Sequence, residues 1–287
     1  MLRGSVCVQR IVTVLALHAV ALASGPAQCR AAFEGCLVDS RAEAMGDCWC
    51  VSDFSALSLA PVPPRGKGLE VGLSYRRPFG LSDLEEKEAA VNVPLSWCVG
   101  SLGFIQRGGG LYRERMLSAT ASAAVPAAAR GRAREAAESP VSVSVSLAVF
   151  EVSVDGWESA RCASLSVGAR ASPVSSVEVC VGLGNVSSSE SGLGLRRTFL
   201  AGVLVRPHDV LSLVTEVRRE PGERSSFHLG AELQPSRGVC LRCGLRTEPL
   251  ELTMGFGVAM RGLGLDTASS LHTVLGRTDS FSLSFAR

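Results

Sequence analysis

The chain has 287 residues, of which 46% are hydrophobic, 20% are charged and 5% are aromatic. This length suffices for one large all-β domain or for two ordinary domains. The formal net charge of +2 gives no electrostatic footprint for nucleic acid, so we expect no nucleic-acid partner. The abundance of Gly, Ser, Val, Leu and Ala favours strands and tight turns over long helices.

The N-terminus has the pattern of an export signal. Arg3 and Arg10 precede an apolar run at residues 11–23. Ala21-Leu22-Ala23 at the end of the run fits a cleavage site. The run is too short to span a bilayer with ease. We therefore predict a signal peptide over residues 1–27, with an uncleaved anchor as the alternative. Lipidation at Cys29 is a minor option because Gln28 stands where a small residue is needed.

Ten cysteines invite a metal or redox interpretation, and one of them falls within the predicted signal. In the alternating segment "CLRC", Cys240 and Cys243 point to opposite faces of a strand and cannot easily converge on one ion. We therefore expect no metal and interpret most of the thiols as small apolar fillers. An exported chain also permits a disulfide, and the open alternative is a bond within one N-terminal group. That group consists of Cys29, Cys36, Cys48 and Cys50.

The first strands are predicted upstream of residue 126. Alternating apolar and polar residues indicate strands at 68–77, 89–97, 99–107 and 111–125. The stretch 126–139 is rich in small and charged residues and breaks the pattern, so we predict an exposed loop or a short helix there.

From residue 141 the alternation is nearly continuous. It begins with "VSVSVSLAVF", continues through segments such as "FHLGAELQ" at 227–234, and closes with "FSLSFAR" at 281–287. Strand centres recur roughly every 13–16 residues, which matches the ~10-residue tilted strands and short turns of a membrane barrel. Soluble sandwiches repeat about every 8–12 residues. We predict an all-β fold, an antiparallel transmembrane β-barrel of 12–14 strands.

The polar face of these strands is rich in Gly, Ser and Ala, with scattered charges of both signs. A confined lumen, or contact with a plug, requires small residues on that face, whereas an open aqueous face would tolerate Lys and Glu freely. Closure into a barrel also removes exposed strand edges. The charges expected in the lumen form either structural ion pairs or a selectivity filter. They are Glu178, Glu216, Arg218, Glu232, Arg242 and Arg246.

No enzymatic constellation is present in the sequence pattern. The four histidines lack Ser, Asp or metal-ligand companions at an informative spacing. The Gly-x-Gly stretches do not open a helix after a strand, so they do not indicate a nucleotide loop. We predict a protein that is not an enzyme and that needs no cofactor.

Four segments, in the same order, resemble the bacterial FadL/PorV-type outer-membrane barrels from about residue 31 to the end of the chain. "RAEAMGDCWCVSDFSALSLAP" at 41–61 is similar to the N-terminal signature of that family, although the Asn of the family's Asn-Pro-Ala is missing before Pro61. "YRRPFGLSDL" at 75–84, "GGGLYRERMLSAT" at 108–120 and "LHTVLGRTDSFSLSF" at 271–285 resemble its later motifs.

The resemblance implies a plug segment at 28–66 inside a barrel formed by 67–287. It also implies either passage of hydrophobic solutes such as long-chain fatty acids, as in FadL-like members, or a PorV-like scaffold or surface antigen. The plug offers apolar residues that either line a ligand pocket or form the plug's own core. They include Phe33, Leu37, Trp49 and Phe54.

Three hypotheses follow for the function. They are a FadL-like transporter in the cell outer membrane, a PorV-like scaffold there without transport, and a secreted soluble β protein. The expected partners are outer-membrane lipid and hydrophobic small molecules, with a secreted protein as the partner in the PorV-like case.

Overall fold

The computed structural model describes residues 39–52, 68–125, 141–188 and 195–287. Within these ranges the chain forms one closed antiparallel β-barrel of fourteen strands. Consecutive strands pair with each other, and β1 closes the barrel by pairing with both β2 and β14. The predicted fold class is therefore confirmed, at the upper limit of the predicted strand number.

Strand bounds follow the alternation in the sequence. The strands are β1 Glu70–Arg77, β2 Glu86–Pro94, β3 Val99–Gly108, β4 Tyr112–Val125, β5 Val141–Val154, β6 Ala160–Val174, β7 Val177–Ser188, β8 Thr198–His208, β9 Leu211–Arg219, β10 Ser226–Ser236, β11 Val239–Thr247, β12 Leu250–Met260, β13 Leu263–His272 and β14 Gly276–Ala286. The α-helix α1 spans Ser40–Ala44, and short 3-10 helices span Trp49–Val51, Pro78–Gly80 and Ser82–Leu84. In the described part of the chain, no helix is long and apolar enough to span a membrane.

We call the end of the barrel where β1 begins and β14 ends the near end, and the opposite end the far end. The predicted strand at 89–97 begins three residues earlier than expected, at Glu86. The Glu86 carboxylate faces the lumen and pairs with Arg76 and Arg107, which compensates its charge and extends the strand. The predicted loop at 126–139 lies outside the described residues.

Two prolines lie inside strands, near their ends. At Pro207 and Pro235 the strand continues past the proline, and the turns fall at 209–210 and 237–238. Both prolines lie in register shifts, between Val205 and His208 in β8 and between Leu233 and Ser236 in β10. A bulge leaves one residue unpaired, so the missing proline N–H costs no ladder hydrogen bond.

The outer face of the barrel is apolar. On β5 the outward residues are Val141, Val143, Val145, Leu147 and Val149, and the last four are exposed. The intervening serines point inward, and Ser142 and Ser144 are buried. This arrangement is the reverse of a soluble protein, which places its valines and leucines inside.

We predict that a charge on this face destabilises the barrel in a bilayer according to its depth. Val145→Arg places a guanidinium at the centre of the β5 apolar band and should cost about 2–4 kcal/mol in urea unfolding from phosphatidylcholine vesicles. Val141→Arg, on the same face at the strand end, should cost about 0–1 kcal/mol. Equal effects of the two variants would contradict an acyl-chain environment for this face.

Candidate functional site

The described part of the N-terminal segment, residues 39–52, lies inside the barrel, and we call it the plug. It enters beside β14, where the Ser40 backbone N–H donates to Ser282 Oγ at 3.0 Å. It leaves toward β7, where Cys50 forms a disulfide with Cys180. Between these points it passes along β13, β12, β11, β10, β9 and β8, so the plug crosses the lumen against one half of the wall.

Three glycines on neighbouring strands let the plug backbone lie directly on the wall. A Cβ at Gly230 of β10, Gly244 of β11 or Gly255 of β12 would collide with plug atoms of residues 44–46. Gly46 itself has φ of +77°, a conformation that favours glycine. The glycines on the inward face of β10, β11 and β12 are therefore explained by close backbone contact with the plug.

Hydrogen bonds fix the plug backbone on this glycine surface. Thr253 Oγ1 donates to the Ala44 carbonyl and accepts from the Gly46 N–H, both at 3.0 Å. His228 Nδ1 lies 2.6 Å from the Gly46 carbonyl oxygen and 3.2 Å from a terminal nitrogen of Arg218. His228 is fully buried, so this histidine serves to hold the plug.

A charged cluster binds the turn of the plug at Asp47. Arg218 and Arg246 both donate to Asp47 Oδ2, at 3.0 and 3.3 Å, and Trp49 Nε1 donates to Oδ1 at 3.2 Å. The Arg218 guanidinium stacks 4.2 Å above the Trp49 ring. Burial works to raise the pKa of Asp47, but the two guanidinium groups outweigh it and lower the pKa to about 2.

A second lumenal carboxylate holds the end of the plug. Glu216 accepts from the Cys50 N–H at 2.8 Å and from Arg218 Nε at 2.7 Å, and it is almost completely buried. Arg170 of β6 donates to the Cys50 carbonyl at 2.5 Å. The plug is thus held at Cys50 by its main chain as well as by its disulfide.

All six charged residues predicted for the lumen point inward, and each belongs to an ion-pair network. Glu216, Arg218 and Arg246 belong to the Asp47 cluster described above. Glu232 binds Arg41 of the plug at 3.1 Å and Arg242 at 2.6 Å. Glu178 binds Arg206 at 2.6 Å and Arg170 at 3.4 Å. Four of the six therefore contact plug residues directly. All six form ion pairs in the structure.

The opposite half of the wall meets the plug through apolar side chains. Ile105, Met116 and Phe150 are direct cross-strand partners on β3, β4 and β5, and all three point into the lumen and are buried. They form one apolar cluster with plug residues including Met45 and Trp49. Of the apolar plug residues predicted as ligand-lining or core, Trp49 is buried here, and Phe33, Leu37 and Phe54 lie outside the described residues.

The disulfide differs from the sequence-based alternative. Cys50 bonds to Cys180 of the wall, whereas Cys48 is a free, buried thiol. The expectation of a bond within the N-terminal group is wrong for Cys50, and Cys180 is not an apolar filler. Alternation places Cys180 inward, but only the path of the plug brings Cys50 to it. Gly202 opposite Cys180 leaves room for the sulfurs.

Burial raises the pKa of the Cys48 thiol well above its usual value, so it remains protonated.

A cavity of about 690 Å³ opens above the plug at the far end, and we call it the vestibule. Its rim carries apolar residues from the connections between strands, including Phe79, Leu84 and Pro249. Its floor is the charged cluster of Asp47, Arg218 and Arg246. The connections around it also carry Glu220, Glu223, Arg224 and Glu248, so a solute entering from the far end meets apolar and charged groups together before it reaches the plug.

Comparison with known proteins gives the fold alone. No family model and no curated protein matches the chain. Among solved structures, the Ralstonia pickettii toluene transporter TbuX aligns with a TM-score of 0.56 at 12% identity, covering 88% of this chain and 98% of that one. The Acinetobacter baumannii outer membrane protein Omp33 gives 0.53 at 9%, covering 78% and 100%. The CymD monoaromatic hydrocarbon channel gives 0.51 at 12%, covering 77% and 87%. The chain has the fold of outer-membrane β-barrels.

We predict that Gly244→Ala displaces the plug, because the new Cβ would collide with the Gly46 backbone nitrogen. In a background with Trp97→Phe and Trp157→Phe, Trp49 is the sole tryptophan. Its emission should shift to the red as the ring gains access to water. Gly100→Ala is the matched control, since a Cβ there approaches no atom closer than 3.8 Å. An unshifted spectrum in Gly244→Ala would show that the plug does not rest on this glycine.

We also predict a pH-dependent contribution from Asp47. Its folded pKa of about 2 lies below the usual aspartate pKa of 3.8, so its stabilisation is present above pH 4 and is lost as the pH falls towards 2. Asp47→Asn should lower the free energy of unfolding at pH 7 by about 2 kcal/mol. The difference from wild type should shrink between pH 4 and pH 2 in urea titrations. Asp279→Asn, at an exposed pair with Arg277, is the control.

Proposed function

We propose that this protein resides in the bacterial outer membrane and passes small hydrophobic solutes through its barrel. The observation that carries the proposal is the plug seated in the lumen, where it shares an apolar cluster with the wall, inside a barrel whose exterior is apolar. Such an extent of outward Val, Leu, Met and Phe is not found on soluble monomers, which argues against a secreted soluble protein. Two of the structural neighbours are named as a toluene transporter and a monoaromatic hydrocarbon channel, which is consistent with such solutes.

The plug argues against an open aqueous pore. A general porin keeps a water-filled lumen, whereas this lumen holds the plug together with buried arginine–carboxylate networks. A solute must therefore pass between the plug and the wall. On β3 to β5, Ile105, Met116 and Phe150 belong to the apolar cluster that includes the plug, and they offer dispersion contacts that a hydrocarbon can replace.

The finer assignment concerns the class of solute and the N-terminal processing. We propose a FadL-like transporter, with the signal peptide at 1–27 and the plug domain at 28–66 as predicted from the sequence. Long-chain fatty acids are the first solutes to test, because the vestibule combines apolar groups such as Phe79 and Leu84 with the exposed guanidinium group of Arg224, which would bind a carboxylate. The PorV-like scaffold is the alternative.

The test is uptake of a labelled long-chain fatty acid, and of labelled toluene, into liposomes that carry the refolded protein. We expect uptake above that of empty liposomes. Met116→Asn should reduce uptake, because an amide in the apolar cluster raises the cost of bringing a hydrocarbon there. Leu117→Asn, the neighbouring outward residue, is the matched control.

Ion conductance across planar bilayers separates passage past the plug from leakage through an emptied lumen. Conductance should be low for wild type and should rise in Cys50→Ala/Cys180→Ala, where the tether is lost; Cys243→Ala, at an exposed free thiol, should resemble wild type. Absence of uptake by a barrel shown to be folded by heat-modifiable gel mobility would reject transport and favour the scaffold role.

A further inference from the structure

A cluster of charged residues lies on the outer face of the barrel at the far end, on β4, β5 and β6. We call Arg113, Arg115, Glu151 and Arg161 the basic patch. Arg115, Glu151 and Arg161 are direct cross-strand partners, and Arg113 lies two residues before Arg115 on the same face. The patch residues of β4 point outward, as the exposed Leu117 does. Glu114 and Met116 point into the lumen and are buried.

The contacts within the patch leave it with donors to spare. Arg161 Nε and one terminal nitrogen both donate to Glu151 Oε1, at 2.9 and 2.7 Å, and Arg115 lies 3.5 Å from Oε2. The side chains of Arg115 and Arg161 remain 42% and 70% exposed. One carboxylate therefore stands between two guanidinium groups, each with five N–H donors, and Arg113 adds a third positive charge on the same strand face. The basic patch therefore carries an excess of positive charge.

The patch lies where the apolar band ends. The outward residues of β5 from Val141 to Val149 are all apolar, and the next outward residue is Glu151. At about 3.3 Å per residue and a tilt near 40°, this band is roughly 20 Å tall, close to the hydrocarbon thickness expected for such barrels. Charged groups deeper among the acyl chains would be strongly unfavourable. The basic patch is therefore expected at the level of the lipid headgroups.

Residues farther out agree with this depth. Trp157, in the connection between β5 and β6, is exposed, as expected for an indole at the membrane interface. The carboxylates of Asp155 and Glu158 lie in that same connection, beyond the arginine row and farther from the apolar band. Both residues are exposed.

We propose that the basic patch binds the phosphate group of an anionic lipid in the leaflet at the far end. The inference rests on the proposed membrane location of the barrel. Arg115 and Arg161 are two strands apart, about 10 Å between their Cα atoms, with the Glu151 side chain between them. Guanidinium forks match phosphate oxygens in pairs, and the lipid's acyl chains would continue along Leu117 and Val149.

The experiment uses the full mature chain, refolded in detergent and titrated with phosphatidylglycerol or phosphatidylcholine under native mass spectrometry. We expect wild type to retain phosphatidylglycerol preferentially. Arg115→Gln/Arg161→Gln should lose this preference, with affinity falling on the order of tenfold. Arg277→Gln is the matched control, because Arg277 is outward at the same end but is paired with Asp279 one to one. Millimolar inorganic phosphate should not displace the lipid.

The outcomes separate this inference from the proposed function. Equal retention of phosphatidylglycerol by the double variant and by wild type would overturn the basic patch as a lipid site, and so would displacement by free phosphate. If wild type inserts and takes up solute without preferring the anionic lipid, only this inference is wrong. If wild type does not enter a bilayer at all, both are wrong. Heat-modifiable mobility shows whether each variant is folded.

Discussion

A β-strand has two faces, and the closure of fourteen strands commits one of them to the exterior and the other to the lumen around the whole circumference. Closure also pairs every strand on both sides, which removes the open edge that a bilayer could not hydrate. A shift of one residue in the register of any strand would exchange its outward residues for its inward residues along the entire strand. The outward apolar band and the inward polar surface therefore depend on one another.

The lumen then has to be filled, and the plug fills it in two different ways. On the side of β10 to β12, glycines bring the wall close enough for main-chain hydrogen bonds to Thr253 and His228. On the side of β3 to β5, apolar side chains such as Met116 belong to the same buried cluster as the plug residues Met45 and Trp49. Asp47 would be costly to bury alone, and the arginines beside it compensate for that burial.

The period of two in the sequence predicts much of this molecule. It identifies the strands, the outward face and the inward orientation of charges such as Glu216 and Arg242, because alternation is a local property. It does not predict partners that depend on the path of the plug. Asp47 is unremarkable in the sequence but central to a buried cluster, and the bond from Cys50 to Cys180 joins residues 130 positions apart. The alternation places Phe150 on the inward face, like the serines before it. It does not indicate that the ring belongs to the same apolar cluster as the plug.

The unequal attachment of the plug bears on where a passage can open. On the β7 to β14 half, the plug is fixed at one end by Ser40 and Arg41 and at the other by the disulfide of Cys50. Movement on that side would break directional hydrogen bonds and expose buried charges, each at a cost of several kcal/mol. The contact with Ile105, Met116 and Phe150 is non-directional, and an apolar solute restores the dispersion contacts that it displaces. If the protein transports solutes as proposed, a small displacement away from β3 to β5 costs least when the molecule that enters is itself apolar, so the asymmetry of the plug would favour hydrophobic solutes over ions.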